Sequence, residues 1–304
     1  MTPRQIDHFL AVMRLGSLVR AAEALSMTQP ALSKSIKRLE DEFGVSLFER
    51  APRGVIPTPF ATALAPHLSQ VLGQVNSAHK TVELLKGGRT GQVTIASGPS
   101  VARVVLIPAI MRFSQSHPDV NIRIIEGLEG QIAEALAKGE ADFAAAAEFE
   151  PFADQEYLQT TILEDRLVLY SSDSALSGLS VVTADRLAGL DFVLMDEADR
   201  LRIHLARQMV KAGLPAPIPR ITVNSLTLLI DYLRLPGLST ILPESLRAVA
   251  MRGDQTGLST HDIEGVHLPW RAKLYWRRGT ILSDAAKAMM AAIKAGLPRT
   301  RSAA

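Results

Sequence analysis

Cysteine is absent from the 304 residues, which removes disulfides, thiolate zinc sites, iron–sulfur clusters and cysteine nucleophiles and suits a reducing compartment. Aromatic residues make up only 5% of the chain, within an otherwise ordinary globular composition of 47% hydrophobic and 21% charged residues. No stretch approaches the ~18 apolar residues of a membrane span. Met1 to Leu15 is interrupted by Arg4, Asp7, His8 and Arg14, so no secretory signal is expected there and the expected location is cytoplasmic.

Catalytic signatures are missing as well. The histidines His8, His67, His79, His117, His204, His261 and His267 lie far apart without HxxxH or HExxH spacing, and each is expected at the surface or as a cap. Gly98-Pro99-Ser100 lacks the flanks of a GxSxG elbow, and there is no Walker or GxGxxG loop. Gly127-Leu128-Glu129-Gly130 is too short for a phosphate loop, and Glu129 would repel an anion. No enzyme, metal or cofactor is expected.

What is present begins with length, enough for about two domains of ~150 residues. The formal net charge of +2 is unevenly placed: residues 1–58 carry eight basic and six acidic side chains, and the rest is balanced. Ile6, Phe9, Leu10, Val12 and Met13 recur at helical spacing up to Gly16, and Ser17 can cap a second helix bearing Leu18, Ala21, Ala22 and Leu25. After a short turn at Ser26-Met27, Thr28 is placed to cap and Pro30 to open a third helix running to about Phe43. That helix buries Leu32, Ile36 and Leu39 and presents Gln29, Ser33, Lys34, Lys37 and Arg38 on its other side. Two extended runs, 45–50 and 54–58, flank Arg53 as a hairpin, and the pattern is that of a winged helix-turn-helix. A three-helix core fragment with merely solvated basic residues is the alternative.

The run Phe9, Gly16-Ser17-Leu18, Ala21-Ala22, Leu25, Thr28-Gln29-Pro30-Ala31-Leu32-Ser33, Ile36, Leu39-Glu40, Gly44-Val45, Leu47-Phe48-Glu49-Arg50 and Arg53-Gly54-Val55 resembles the DNA-binding domain of LysR-type transcriptional regulators. It departs at Thr58-Pro59-Phe60-Ala61, where the family usually has Thr-x-Ala-Gly. The stripe Leu64, Leu68, Val71, Leu72, Val75, Ala78, Val82 and Leu85 predicts one long helix, with Pro66 early in it. The resemblance implies that this linker helix pairs with its copy, whereas packing on its own chain is the other reading. Gly87-Gly88-Arg89-Thr90-Gly91 then predicts a hinge.

Beyond the hinge, predicted strands at 93–97, 120–126, 142–147, 163–171, 192–195, 218–223 and 239–242 alternate with helices at 103–116, 131–138, 203–212 and 226–234. This implies a mainly parallel sheet covered on both faces. The alternation and the landmarks Pro108, Phe113, Pro118, Gly139-Glu140-Ala141-Asp142 and Leu242-Pro243-Glu244 resemble the family's two-lobed regulatory domain, similar in fold to periplasmic binding proteins. Gly237-Leu238-Ser239 stands where the family has Gly-Leu-Gly, which predicts a different turn on one side of the cleft.

The expected organisation is α/β and multidomain: residues 1–58 a winged helix-turn-helix, 59–88 the linker helix and hinge, and 91–304 the regulatory domain. Its lobe I would be 91–163 with 267–304, and its lobe II 164–266. A recognition helix starting at Thr28 would enter the major groove with Gln29 facing an adenine edge, Lys34 a guanine, and Pro30 and Ala31 thymine methyls. Ser33, Lys37 and Arg38 would hold phosphates, and Arg53 the backbone or minor groove. The effector would sit among the turns after strands, at Ser97, Gly98, Pro99, Ser100, Val101, Gly127 and Leu128 facing Asp196, Arg200, Leu201 and Asn224. Arg103, Arg200 or Arg202 would suit a carboxylate, against Asp196, Glu197 and Asp199. The partners the resemblance implies are an inverted-repeat DNA, a small organic acid or aromatic metabolite, RNA polymerase, and copies of the chain in a homodimer and homotetramer. The competing readings are an effector-independent regulator and a solute-binding α/β protein that reads no DNA.

Overall fold

The computed structural model describes residues 1–52, 54–85, 91–148, 156–196, 200–214, 216–251 and 257–296. Arg53, Glu197, Asp199 and most of the expected hinge lie outside these residues. The chain divides into two compact units, Met1–Arg89 with Glu134–Ala141, and Thr90–Ala133 with Asp142–Ala304.

In the first unit, α1 (Pro3–Leu15) starts in a capping box: the Thr2 hydroxyl accepts from the Gln5 amide and the Gln5 side chain accepts from the Thr2 amide. It ends at Gly16, whose φ of +59° only glycine adopts easily. Ser17 caps α2 (Leu18–Ala24), as its placement predicts, and α3 (Gln29–Phe43) follows, ending at Gly44. Thr28 stands at the cap position of α3 without a capping hydrogen bond from its hydroxyl, a departure from the expected role. β1 (Phe48–Ala51) and β2 (Gly54–Pro57) form an antiparallel hairpin, shorter than the predicted runs. α4 (Pro59–Leu85) is the predicted long helix, with Pro66 inside it.

The core of this unit closes around Phe9, Leu32, Leu39 and Leu47, all fully buried, and α4 adds Leu68 and Leu72 to it. Three residues of the apolar stripe of α4, Leu68, Leu72 and the partly buried Leu64, are thus spent on their own chain. Residues 134–141 complete the unit: Asn76 donates to the Lys138 carbonyl at 2.6 Å, and the buried Lys138 ammonium pairs with Glu134 at 2.7 Å.

The second unit opens with β3 (Gln92–Ser97), α5 (Pro99–Val101), a π-helical turn Ala102–Leu106 and α6 (Ile107–Ser116). The helical run therefore starts four residues before the predicted Arg103, at Pro99, which needs no amide partner in a first turn. Then come β4 (Asn121–Glu126), α7 (Glu129–Ala137), β5 (Phe143–Ala147) and β6 (Tyr157–Ser171). β7 (Val181–Val182), α8 (Ala184–Ala188), β8 (Asp191–Met195), α9 (Arg200–Lys211), β9 (Pro219–Val223) and α10 (Leu226–Tyr232) follow. β10 (Leu238–Pro243), α11 (Arg247–Ala250), β11 (Ser259–Ile263), β12 (Pro269–Arg277) and α12 (Asp284–Ala295) close the chain order.

The strand order is β4-β3-β5-β12-β6-β10-β8-β9, with β11 against β6 and β7. Two parallel groups, β4-β3-β5 and β10-β8-β9, are joined through the antiparallel strands β12 and β6, so the sheet is mixed rather than mainly parallel. β6 is six residues longer at its start than expected. It pairs with β12 over 157–166 and with β10 over 167–171, changing partner between Arg166 and Leu167. β3 is buried on both faces as a central parallel strand must be, whereas β4, at the edge, is mostly exposed. Ser239 makes no turn. It lies in β10, fully buried, its hydroxyl 2.8 Å from that of Ser171, while Gly237 takes the positive φ of +81°.

Candidate nucleic-acid interface and ligand cavity

α2 and α3 can meet closely because Ala21 and Ala22 are buried at their contact, and Ser26, with φ +52°, turns the chain sharply between them. Leu32, Ile36 and Leu39 then anchor one side of α3 in the core. The opposite side, Thr28, Gln29, Pro30, Ala31, Lys34, Lys37 and Arg38, is exposed, and Ser33 is half-buried. The Gln29 amide NH2 donates to the Ser33 hydroxyl at 3.0 Å. That group has a second proton, so Gln29 keeps one N–H and its carbonyl for an outside partner while its orientation is already set. Lys37 pairs with Asp41 at 3.1 Å, both exposed, a contact weak enough to be exchanged for a phosphate.

Three devices hold this surface. The imidazole Nδ1 of His8 lies 2.7 Å from the Ser35 hydroxyl, joining α1 to α3, and burial lowers the His8 pKa, with smaller opposing effects from Asp7 (raising) and Arg4 (lowering). One Glu40 carboxylate oxygen accepts from the Leu47 amide at 2.8 Å and the Phe48 amide at 3.3 Å, tying the hairpin to α3. Gly54, at φ +142°, brings the hairpin against the α1–α2 turn, where the Val55 amide donates to the Gly16 carbonyl at 2.9 Å; a Cβ on Gly54 would lie 2.2 Å from that oxygen.

In the second unit a cavity of about 590 Å³, mouth included, opens at the carboxyl ends of β3, β4, β5, β8 and β10. This is where doubly wound sheets bind ligands. Of the expected residues it brings together Gly98, Pro99, Ser100, Val101, Gly127 and Leu128. Ser97 is not among them: it is fully buried, and its hydroxyl donates to the Ala145 carbonyl at 2.6 Å, stitching β3 to β5. Asp196 and Asn224 are exposed and outside the lining. Arg200 and Leu201 open α9, but their side chains lie outside the described residues.

The lining also includes Glu129, Ile132, Ala146, Ala147, Met195, Leu226, Leu242 and Trp270, which sequence reasoning missed. Ala147, Met195 and Leu242 stand at or next to strand ends, so the rule that found Ser97 to Val101 could have found them. Trp270 belongs to β12, a strand whose alternating buried residues Trp270, Ala272 and Leu274 went unread.

Beside the cavity, Arg103 in the π turn donates from Nη2 to the Thr227 hydroxyl at 2.5 Å, bridging to α10. Such turns are frequent at functional sites. Arg202 donates to the Met195 carbonyl at 3.2 Å. His261, expected at the surface, is instead buried, with Nε2 2.6 Å from the Ser259 hydroxyl and Nδ1 2.8 Å from the Leu179 carbonyl. Among the described residues no three metal-ligating side chains cluster, and no helix is long and apolar enough to cross a membrane.

Residues 3–62 match the family model of bacterial regulatory helix-turn-helix proteins of the lysR family, and residues 86–298 match that of the LysR substrate binding domain. The chain is 30% identical over 296 residues to a RuBisCO operon transcriptional regulator of Allochromatium vinosum, covering 94% of this chain and 93% of the relative. It is 27% identical over 297 residues to the transcriptional regulator GbpR of Azospirillum brasilense, covering 96% and 85%. Among solved structures, a full-length cysteine variant of OxyR from Pseudomonas aeruginosa shares the fold at TM-score 0.63 and 19% identity, covering 97% of this chain and 95% of that one. Full-length CbnR in complex with its target DNA does so at TM-score 0.54 and 19% identity, covering 97% and 99%.

Proposed function

Since the chain belongs to the LysR-type transcriptional regulators, DNA-binding proteins that carry a substrate-binding domain, we propose that α3 reads an inverted-repeat operator and that the cavity of the second unit receives a small-molecule effector. The observation that carries this is the exposed polar face of α3, set opposite a fully packed one and with Gln29 already oriented. Gln29 presents a carbonyl and an N–H together, the pair that an adenine edge requires, and Lys34 reaches guanine acceptors from the same face. Pro30 contacts thymine methyls. Thr28, Ser33, Lys37 and Arg38 contact phosphates and set the register, and Arg53, between the two hairpin strands in sequence, adds a further backbone or minor-groove contact.

An inverted repeat needs two heads. On α4, Leu68 and Leu72 are buried in the unit's own core, but Phe60, Val71 and Val82 remain exposed at intervals of eleven residues, on one side of the helix. This uncovered stripe is the surface on which a second copy pairs, and two such dimers make the homotetramer.

The test is binding of the purified protein to a selected operator and to random DNA across a salt series. Gln29→Ala and Lys34→Ala are expected to lose operator preference by about 1–3 kcal/mol each while random-DNA binding is little changed, whereas Lys37→Ala lowers both and flattens the salt slope. Equal losses on both DNAs for Gln29→Ala would show that the residue does not read bases.

A further inference from the structure

This inference rests on α3 reading the operator and gives one of its residues a part in the specificity. We infer that Ser33 is the positioning residue that fixes which way the Gln29 amide faces, and that it thereby selects adenine over guanine at the base pair Gln29 meets.

Ser33 follows Gln29 by four residues on α3, the spacing at which two helical side chains lie next to each other. The Gln29 Nε2 donates to the Ser33 hydroxyl at 3.0 Å. Gln29 is exposed and long, so without a tether its side chain samples many rotamers and its amide presents either edge. Ser33 is short and half-buried, and its neighbour in sequence, Leu32, is fully buried in the core. The tether is therefore held at its stiffer end. Pro30 lies in the first turn between the two residues and restricts the backbone there.

The orientation decides the base. A glutamine amide carries two N–H donors and one carbonyl acceptor. With one N–H given to Ser33, the edge left for an outside partner is a carbonyl beside a single N–H. The major-groove edge of adenine is an acceptor, N7, beside a donor, the N6 amino group, and it matches that pair. Guanine offers two acceptors, N7 and O6. One of them would face the Gln29 carbonyl, and the N–H that suits it is already spent on Ser33. Turned the other way, with its carbonyl on the Ser33 hydroxyl, the same amide would aim both N–H groups outward and suit guanine. Because Ser33 accepts from Gln29, it keeps its own hydroxyl proton for a phosphate oxygen.

The experiment lets the full-length protein and its variants Ser33→Ala, Ser33→Thr, Gln29→Ala and the double Gln29→Ala/Ser33→Ala select from one random DNA library, with circular dichroism melting to verify that each is folded. Affinities are then measured for the selected operator with adenine or guanine at each position. The unaltered protein and Ser33→Thr, which keeps the hydroxyl, are expected to prefer adenine by about tenfold at one pair of each half-site. Ser33→Ala is expected to lose most of that preference there and to keep the others, and the double variant to add nothing to Gln29→Ala at that pair. An adenine preference intact in Ser33→Ala, lost equally in Ser33→Thr, or replaced by a loss of affinity spread evenly over every DNA overturns the inference while Gln29 still reads the base. A guanine preference at the pair that Gln29→Ala abolishes overturns it too, since the amide is then turned the other way. If Gln29→Ala alters no position, or no operator is selected, the reading of α3 falls and this inference with it.

Discussion

His8 and Gln29 owe their roles to single contacts that a periodic pattern does not express. Both are polar residues in helices, yet one is held between α1 and α3 by the Ser35 hydroxyl and the other lies along the exposed face of α3 with its amide fixed by Ser33. Burial lowers the His8 pKa below its ordinary 6.5, so the folded form resists protonation more than the unfolded chain does. The stability this contributes is present above pH 6.5 and is lost as the pH falls below it, levelling off once the folded form is protonated too. Thermal melting between pH 8 and pH 5 is expected to show a falling midpoint for the first unit, and His8→Asn is expected to flatten that fall. An unchanged slope in the variant would place the titration elsewhere.

At the scale of elements, α4 and β6 each serve two surroundings. The leucines of α4 that face α1 behave as core, while Phe60, Val71 and Val82 on another side stay in water. Replacing Val71 and Val82 by aspartate puts charges on the uncovered stripe and leaves Leu68 and Leu72 in place. Sedimentation is expected to show self-association weakened by about tenfold or more, with the melting of the monomer little affected. A dimer of unaltered strength would mean that another surface pairs. β6 pairs first with β12 and then, beyond Arg166, with β10, and near this change the Arg166 guanidinium binds Glu244 at 2.8 Å and Asp262 at 2.5 Å. The hydrogen bonding that Arg166 donates to the Glu244 carboxylate is the main reason that the Arg166 pKa is raised. Periodicity marked only the second half of β6, because its first half alternates buried and exposed positions too irregularly to stand out.

On the scale of the whole molecule, the first unit is built around Phe9, Leu32 and Leu39, and the second around two clusters, one with Phe143, Leu169 and Leu274 and one with Tyr170, Val193 and Leu229. Calorimetry is expected to resolve separate transitions for the two units. Gly54→Ala drives a Cβ into the Gly16 carbonyl and is expected to cost about 2–3 kcal/mol, moving the transition of the first unit down by roughly 5 °C or more and sparing the second. A shift of both would show that they unfold as one. Much of this molecule was legible in the residues alone. Local rules found the helix stop at Gly16, the end of α3 near Phe43, the Ser17 cap, the exposed face of α3, and six of the cavity residues, because each rests on spacing and on backbone chemistry within a few residues. The tertiary structure decided the rest: that Ser97 and His261 are buried, that Trp270 closes the cavity, and that the sheet is mixed rather than mainly parallel. Each of those depends on which strand lies beside which, and residues brought together from a hundred positions apart leave no periodic trace in the chain that carries them.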